Sequence, residues 1–460
     1  MLASKSLFTT RVRVWMKMGA DGWCGINMVN GRIKRVLFST AALACWSVAW
    51  SGAPQPFSDM LFLDWDGFRS ALREEGIDIR VGYVSETATN PQGGEREGWA
   101  YTDQWTFMGT LDLDKLLSLT DAQFRITITD RNGHSLSAAQ NLDNLQQVQE
   151  LYGRGQTWRF TQFWYEQSYF SGKVDWKIGR LTDGEDFASF SCEFMNLTFC
   201  GAPPGNIVGS YWYNWPVSQW ATRVKVSLSH TVYAQVGAFE VNPSYLQTRY
   251  ALGLGDPPGA TGVLAPIEIG WLPKFARSLD GSYKFGAWYD TSKAADVVKG
   301  TNGQPWAIDG GQPLMHNGQY GAYINFLQRV TAAPDTSKRG LSVFLNATFA
   351  DRQTSTIDNQ VAVGLFYRGP LVQRPADQLG FAVGETHVNT RVAALERLQN
   401  AAGLRPVSVQ SSEYTSELYY AFDPAPWLDL RPNVQYVYQP GGTAQNHADL
   451  IVGLRVSVNF

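Results

Sequence analysis

From residue 77 to the C-terminus, apolar side chains recur at every second position. Residues 449–460 show this best. Leu450, Val452, Leu454, Val456, Val458 and Phe460 share one face; Asp449, Gly453, Arg455, Ser457 and Asn459 share the other, with Ile451 the single exception. A period of two marks a half-buried strand. Sixteen such segments follow one another: 77–85, 104–114, 122–129, 159–169, 174–180, 220–228, 232–240, 262–271, 281–289, 320–329, 341–350, 360–368, 379–384, 411–422, 428–437 and 449–460. Most approach the roughly 9–11 residues that a tilted strand needs to cross a bilayer. Their number is even, as bacterial barrels require. Before residue 77 the period is 3.6. Residues 62–76 predict a helix with Trp65, Phe68 and Leu72 on one face, Asp64 or Asp66 as cap and Gly76 as stop.

The connectors fall into two classes. Residues 115–121, 171–173 and 229–231 are tight, whereas 132–158, 181–219, 241–261 and 290–319 are long and rich in Gly, Pro, Asn and Trp. Short turns at one rim and long loops at the other are the asymmetry of an outer-membrane barrel. A soluble sandwich has no reason to segregate loop lengths in this way. The predicted fold is all-β, a transmembrane antiparallel β-barrel of about sixteen strands, with a short N-terminal helix and long extracellular loops. A barrel of that size is too wide for its own side chains to fill, which leaves an aqueous channel.

Composition agrees. The chain has 24 Phe, 20 Tyr and 17 Trp, 44 Gly, and only 17% charged residues, against roughly 25% in an average soluble domain. Disorder and coiled coil are excluded on these grounds. Mean hydropathy is −0.22, and no apolar run reaches the ~18 residues of a membrane-spanning helix. Seven basic residues precede the stretch 36–50, VLFSTAALACWSVAW, which contains the small-x-small pattern Ser47–Ala49. This is the order of a secretory signal peptide. The expected organisation is a leader over 1–49, with Met28 as an alternative start, a periplasmic segment with the helix over 50–76, and the barrel over 77–460. Removing the leader leaves 31 basic and 40 acidic groups, a net charge of −9, which disfavours nucleic acid as a partner.

Cys192 and Cys200 are then the remaining cysteines, and in an exported chain they read as a disulfide closing a small loop. The five histidines are scattered, no zinc-type spacing occurs, and no cofactor is implied. The cysteines lie in the longest connector. It opens with Asp183, Glu185 and Asp186 just after Arg180 and closes into WYNWPVSQW at 212–220. Such a loop can fold into the lumen and narrow it. Aromatic faces beside charged hydrogen-bonding groups suit a sugar; the same aromatics also suit the interfacial girdle of any barrel. On strand 159–169, parity puts Arg159 and Trp164 on opposite faces, so one of them is expected to point inward. Opposition to apolar partners assigns Arg223, Lys225, Arg329, Arg431 and Arg455 to the lumen.

These stretches resemble the carbohydrate-selective porins of the OprB type. The resemblance is carried by FLDWDGFRSALREEGIDI at 62–79, LYGRGQT at 151–157, WYEQSYF at 164–170, VDWKIGRLTDGEDF at 174–187, FCGAPPGN at 199–206, WYNWPVSQW, FEVNPSYL at 239–246, ATGVLAPIEIGW at 260–271 and GSYKFGAWYDTS at 281–292. Residues 376–407 depart from it. The resemblance implies a sixteen-stranded bacterial outer-membrane barrel for passive diffusion of glucose-like mono- and oligosaccharides. It implies a constriction lined by arginine, acidic and aromatic groups, which here match Arg180, Glu185 and Asp186, then Arg159 and Trp164. Its implied partners are the carbohydrate, outer-membrane lipid and the barrel-assembly machinery, the last through Phe460; a homo-oligomer is also open to it. The competing readings are a secreted sugar-binding β-protein without a pore and an outer-membrane barrel enzyme. Against an enzyme, Ser229 and His230 form the only adjacent Ser-His pair in that order and sit in a tight turn with no oxyanion-type Gly motif.

Overall fold

The computed structural model describes residues 56–276, 279–333, 339–404 and 406–460, together with the backbone of Val12–Met18 and Gly22–Met28, which pair antiparallel. The apolar stretch 36–50 of the expected leader lies outside the described residues.

Sixteen antiparallel strands close a barrel. In chain order they are β1 (Ile77–Gln92), β2 (Trp99–Asp112), β3 (Ala122–Gly133), β4 (Trp158–Tyr169), β5 (Val174–Leu181), β6 (Gln219–Ser227), β7 (Val232–Val241), β8 (Gly262–Trp271), β9 (Leu279–Asp290), β10 (Gln319–Arg329), β11 (Gly340–Ala350), β12 (Ile357–Arg368), β13 (Gln378–Val388), β14 (Ser412–Ala425), β15 (Leu428–Tyr438) and β16 (Asp449–Asn459). Each pairs with its sequence neighbours, and β16 closes onto β1 with Asn459 opposite Gly82. A two-residue extension, Lys274–Phe275, pairs with the foot of β9. No helix among the described residues is long and apolar enough to cross a membrane.

Every segment of period two became a strand, but several run further. β1 continues to Gln92 and β13 to Val388. The added residues of β1 place Glu86, Ala88 and Asn90 inward against loop segments. That part of the wall needs no apolar stripe, so the pattern that reveals strands in lipid is weak there. The helix is shorter than expected. It runs Phe68–Glu75 (α1), because Leu63, Trp65 and Asp66 take left-handed backbone angles that no helix admits. Asp64 still caps it from a distance, accepting from the Ser70 N–H at 2.7 Å and the Ser70 hydroxyl at 2.6 Å.

On β16, Val452 and Leu454 are 43% and 40% exposed, whereas Arg455 is 3% exposed. The apolar face is therefore the outer one. Ile451, the exception to the pattern, is fully buried inside against Ala88, Ala100, Leu136, Leu142, Val148 and Met195. Outward aromatics gather near both rims. Tyr289, Tyr320, Tyr414, Tyr436 and Tyr438 stand at the long-loop end, and Trp271, stacked on Tyr283 at 5.2 Å, at the other. Two such belts mark the membrane–water interfaces.

The lumen is not left open. The loop 182–218 turns inward and crosses to the opposite wall. Its Phe194 meets Phe344 of β11, Phe366 of β12 and Tyr419 of β14 at ring distances of 6.0, 5.6 and 5.0 Å. Nearer its root, Trp212 packs on Trp288 at 5.4 Å. Cys192 and Cys200 are joined by a disulfide within the crossing segment. The Trp-rich end of this loop is thus interior packing, and Trp212 is fully buried.

At the long-loop rim, Asp296 ties a hairpin, Ala294–Gly300 with Pro313–His316, to a helix, Thr390–Ala401 (α2). Its carboxylate accepts from the Val298 and Lys299 N–H groups at 2.8 Å, from Arg391 at 2.8 and 3.1 Å, and contacts His316 Nε2 at 3.0 Å. Burial alone would push this acid up. The Lys299 N–H, His316, the Val298 N–H and Arg391 outweigh it and hold the pKa at about 2. A depressed acid stabilises the fold above its unfolded pKa, ~4, and loses that contribution as pH falls through its folded value. Hydrogen exchange in 294–316, corrected for the intrinsic rate, is therefore expected to accelerate between pH 4 and pH 2, and Asp296→Asn should remove that step.

Candidate functional site

Below the crossing loop, wall and loop charges form a band. The loop's first turn, Asp183–Asp186, is a short helix that aims Glu185 and Asp186 at β5 and β6. Lys177 on β5 lies 3.0 Å from Asp186, 3.5 Å from Glu185 and 3.8 Å from Glu166 of β4. Arg223 on β6 contacts Asp186 at 3.3 Å, Glu166 at 2.5 Å and Asp175. Gln162 donates to Glu185 at 2.7 Å. Lys177, Arg223 and Gln162 are nearly fully buried, whereas Glu166, Asp175 and Lys225 keep part of their surface open. Lys177 stands 4.6 Å from the Trp164 ring centre and the Arg125 guanidinium 4.9 Å from it. Burial by itself would raise the Asp186 carboxyl; Lys177 and Arg223 hold it below the ordinary carboxylate range. Asp183 differs: burial pushes its carboxyl well up, against the Tyr213 N–H and Gln219 amide that donate to it.

Arg180 is not beside these acids. Its guanidinium donates to the Gly253 carbonyl at 2.9 Å and the Ser218 carbonyl at 2.7 Å, and stacks 4.2 Å over Tyr245. The cations that meet Glu185 and Asp186 are Lys177 and Arg223. The physical reason is parity: Lys177 and Arg180 are three positions apart on β5, an odd spacing that sends their side chains to opposite faces of the strand, and it is Lys177 that stands directly opposite Glu166 and Arg223. Arg180 instead holds loop backbone from above.

Arg159 and Trp164 both point inward, against the expectation from strand parity. Gln162 pairs with Thr127, but Phe160 pairs with Ile128, so Thr161 is an extra residue in β4. Thr161 and Gln162 are buried side by side, 0% and 3% exposed. A bulge of one residue restores Arg159 to the inner face. There it donates to the Tyr245 carbonyl at 2.9 Å and the Leu246 carbonyl at 3.1 Å, and also reaches the Arg154 carbonyl. Arg159 and Arg180 thus share one task, holding the loops 182–218 and 242–261 by their carbonyls.

Wall carboxylates hold loops by their N–H groups, Glu417 and Glu268 the crossing loop and Glu413 the loops 134–157 and 439–448. Glu417 accepts from Met195 and Asn196, both at 2.8 Å. Glu413 accepts from Leu145 at 2.6 Å, Gln146 at 3.2 Å and Gly441 at 2.9 Å. Glu268 accepts from Ala188 at 2.9 Å and from the Tyr323 and Tyr233 hydroxyls at 2.7 Å. None of these was evident from the sequence as a functional residue, nor were Lys177 and Glu166. The available signal was their inward parity on β4, β5, β8 and β14.

The sequence matches, over residues 96–460, the family described as "Carbohydrate-selective porin, OprB family". Porin B of Pseudomonas aeruginosa is 40% identical over 439 residues, covering 92% of this chain and 96% of that protein. The putative porin QuiX of Acinetobacter baylyi is 34% identical over 419 residues, covering 86% and 92%. Among solved structures, the high-pH structure of Pseudomonas putida OprB has a TM-score of 0.85 at 41% identity, with 89% of this chain and 100% of that chain covered. The outer-membrane channel DcaP of Acinetobacter baumannii shares the fold at a TM-score of 0.51 and 13% identity, with 84% and 98% covered.

Proposed function

The chain belongs to the OprB family of carbohydrate-selective porins, and from that premise we propose that its selectivity resides in the charged band of Glu166, Asp175, Lys177, Glu185, Asp186 and Arg223. It is an outer-membrane β-barrel porin, a carbohydrate-diffusion channel and not an enzyme. The observation that carries the assignment is the meeting of Glu185 and Asp186, from the crossing loop, with Lys177 and Arg223 of the wall. Paired fixed charges offer a sugar hydroxyl both donors and acceptors without leaving a large net field for ions. Each contact replaces a sugar–water hydrogen bond, a net gain of about 0.5–1.5 kcal/mol. Weak contacts suit transport, since a tightly held sugar would not leave. Glucose-like mono- and oligosaccharides fit this chemistry. Trp164, with Lys177 and Arg125 against its ring, positions those cations, and Arg159 and Arg180 position the loops.

Glu185→Gln keeps the side chain's shape and removes its charge. Sugar block of single-channel current should weaken roughly two- to tenfold, the factor that 0.5–1.5 kcal/mol implies. Heat-modifiable migration on a gel should be unchanged. Unaltered sugar block in an intact barrel would overturn the assignment.

We propose roles for the two ends of the chain as well. Residues 1–49 act as a leader removed on export, which leaves 50–76 at the periplasmic rim. Phe460 serves the barrel-assembly machinery as a terminal aromatic; its outward place beside Trp105, at 5.4 Å, supports that reading. N-terminal sequencing of protein from the outer membrane tests the first.

A further inference from the structure

The segment before β1 carries an apolar face that nothing in the barrel covers. Phe62, Leu63, Trp65 and Phe68 are 58%, 59%, 39% and 56% exposed. They are held in place. Arg69, itself buried, donates to the Leu63 carbonyl at 3.3 Å, the Phe460 carbonyl at 2.9 Å and the Ile79 carbonyl at 2.8 Å. The Leu61 N–H donates to the Asn459 carbonyl at 2.8 Å. The segment is thereby fastened across the seam where β16 meets β1, on the rim of the short turns, which is the periplasmic one.

Its position relative to lipid follows from ring contacts. The Phe62 ring lies 5.5 Å from that of Phe460, and Phe460 lies 5.4 Å from Trp105. Phe460 and Trp105 are on the outer, lipid-facing side of the wall by parity with Val458 and Phe107. The exposed face is therefore continuous with the barrel's lipid surface. Trp65 and Phe68 extend it, stacked at 6.4 Å. The neighbouring periplasmic turn also exposes Leu116, Leu117 and Leu119. Left-handed backbone at Leu63, Trp65 and Asp66 turns these side chains outward, a conformation non-glycine residues adopt only when the surroundings enforce it.

We propose that Phe62, Leu63, Trp65 and Phe68 form an interfacial anchor whose ligand is the phospholipid of the inner leaflet. Aromatic and leucine side chains on a short segment lying in the plane of the headgroups are what an interface selects. Arg69 lies behind them, 4.8 Å from the Trp65 ring, and joins this face to the backbone of both seam strands.

A nitroxide at Phe68→Cys, in the protein reconstituted into phosphatidylethanolamine–phosphatidylglycerol vesicles, tests the proposal. Glu74→Cys on the exposed polar side of α1 is the aqueous reference, and Leu63→Cys is a second probe should the first fail to assemble. At positions 68 and 63, collision with oxygen should exceed that at 74 several-fold, and collision with an aqueous nickel chelate should be several-fold lower. Equal access to the nickel chelate at all three positions would overturn the anchor. So would protection from both reagents with spin–spin broadening, which would mean that a second copy of the chain covers the face.

Discussion

Leu454→Arg is expected to abolish assembly in the outer membrane, while Ser457→Arg, three residues on, is expected to assemble. Leu454 is 40% exposed on the outer face of β16, with Val452 on the same side. A guanidinium there meets hydrocarbon and costs about 2–4 kcal/mol near the midplane. That is a large fraction of the roughly 5–15 kcal/mol by which a folded domain typically exceeds its unfolded state. Leu454 also lies on the closing strand, opposite Thr87 of β1 and Pro432 of β15, so the penalty falls where the barrel must seal. Ser457 faces the lumen and pairs with Asp429, which offers an arginine a carboxylate and water. Folded, heat-modifiable protein in the outer-membrane fraction is the measure. Equal tolerance at the two positions would show the register or the facing of β16 to be wrong.

Glu417→Ala is expected to open the channel. The two carboxylate oxygens of Glu417 accept from the Met195 and Asn196 N–H groups at 2.8 Å each, and the Asn196 amide goes on to Gln435 at 2.9 Å. Beside it, Arg431 grips the carboxylate of Glu193 at 2.9 Å. These contacts fasten the far end of the crossing loop to the wall. Removing the carboxylate strands two buried N–H donors, at about 1–3 kcal/mol each. The loop's hold on β14 is then lost while its root at β5 and β6 remains. Single-channel conductance should rise and sugar block should weaken, with the barrel still assembled. Glu417→Gln keeps one acceptor and should fall between. Wild-type conductance in Glu417→Ala would mean that Phe194 and the disulfide-bearing segment hold the loop unaided.

The barrel was legible because lipid imposes a rule that each strand must obey locally. An outward position in hydrocarbon has to be apolar, so Leu450, Val452 and Leu454 announce their own facing, and Arg455 by contrast announces the lumen. The same rule marks sixteen segments and separates them from loops of two lengths. The cysteine pair in an exported chain was legible on the same local terms. Inside the barrel no such rule holds. Water tolerates any polar residue on the inner face, so the pairing of Lys177 with Asp186 leaves no periodic trace. Neither do the carbonyls that hold Arg180 nor the N–H groups that Glu417 and Glu413 receive; these partners lie far apart along the chain or in loops. One extra residue at Thr161 reversed the parity that would have turned Arg159 outward, because a bulge shifts every residue beyond it by one face. Ahead of β1 the helix that the spacing of Trp65, Phe68 and Leu72 predicts begins only at Phe68, because Leu63, Trp65 and Asp66 take left-handed turns in a segment that Arg69 fastens to the carbonyls of Phe460 and Ile79. Facing toward lipid is a property of each residue and its immediate neighbours. What crosses the lumen, and which charges meet there, is a property of the closed wall.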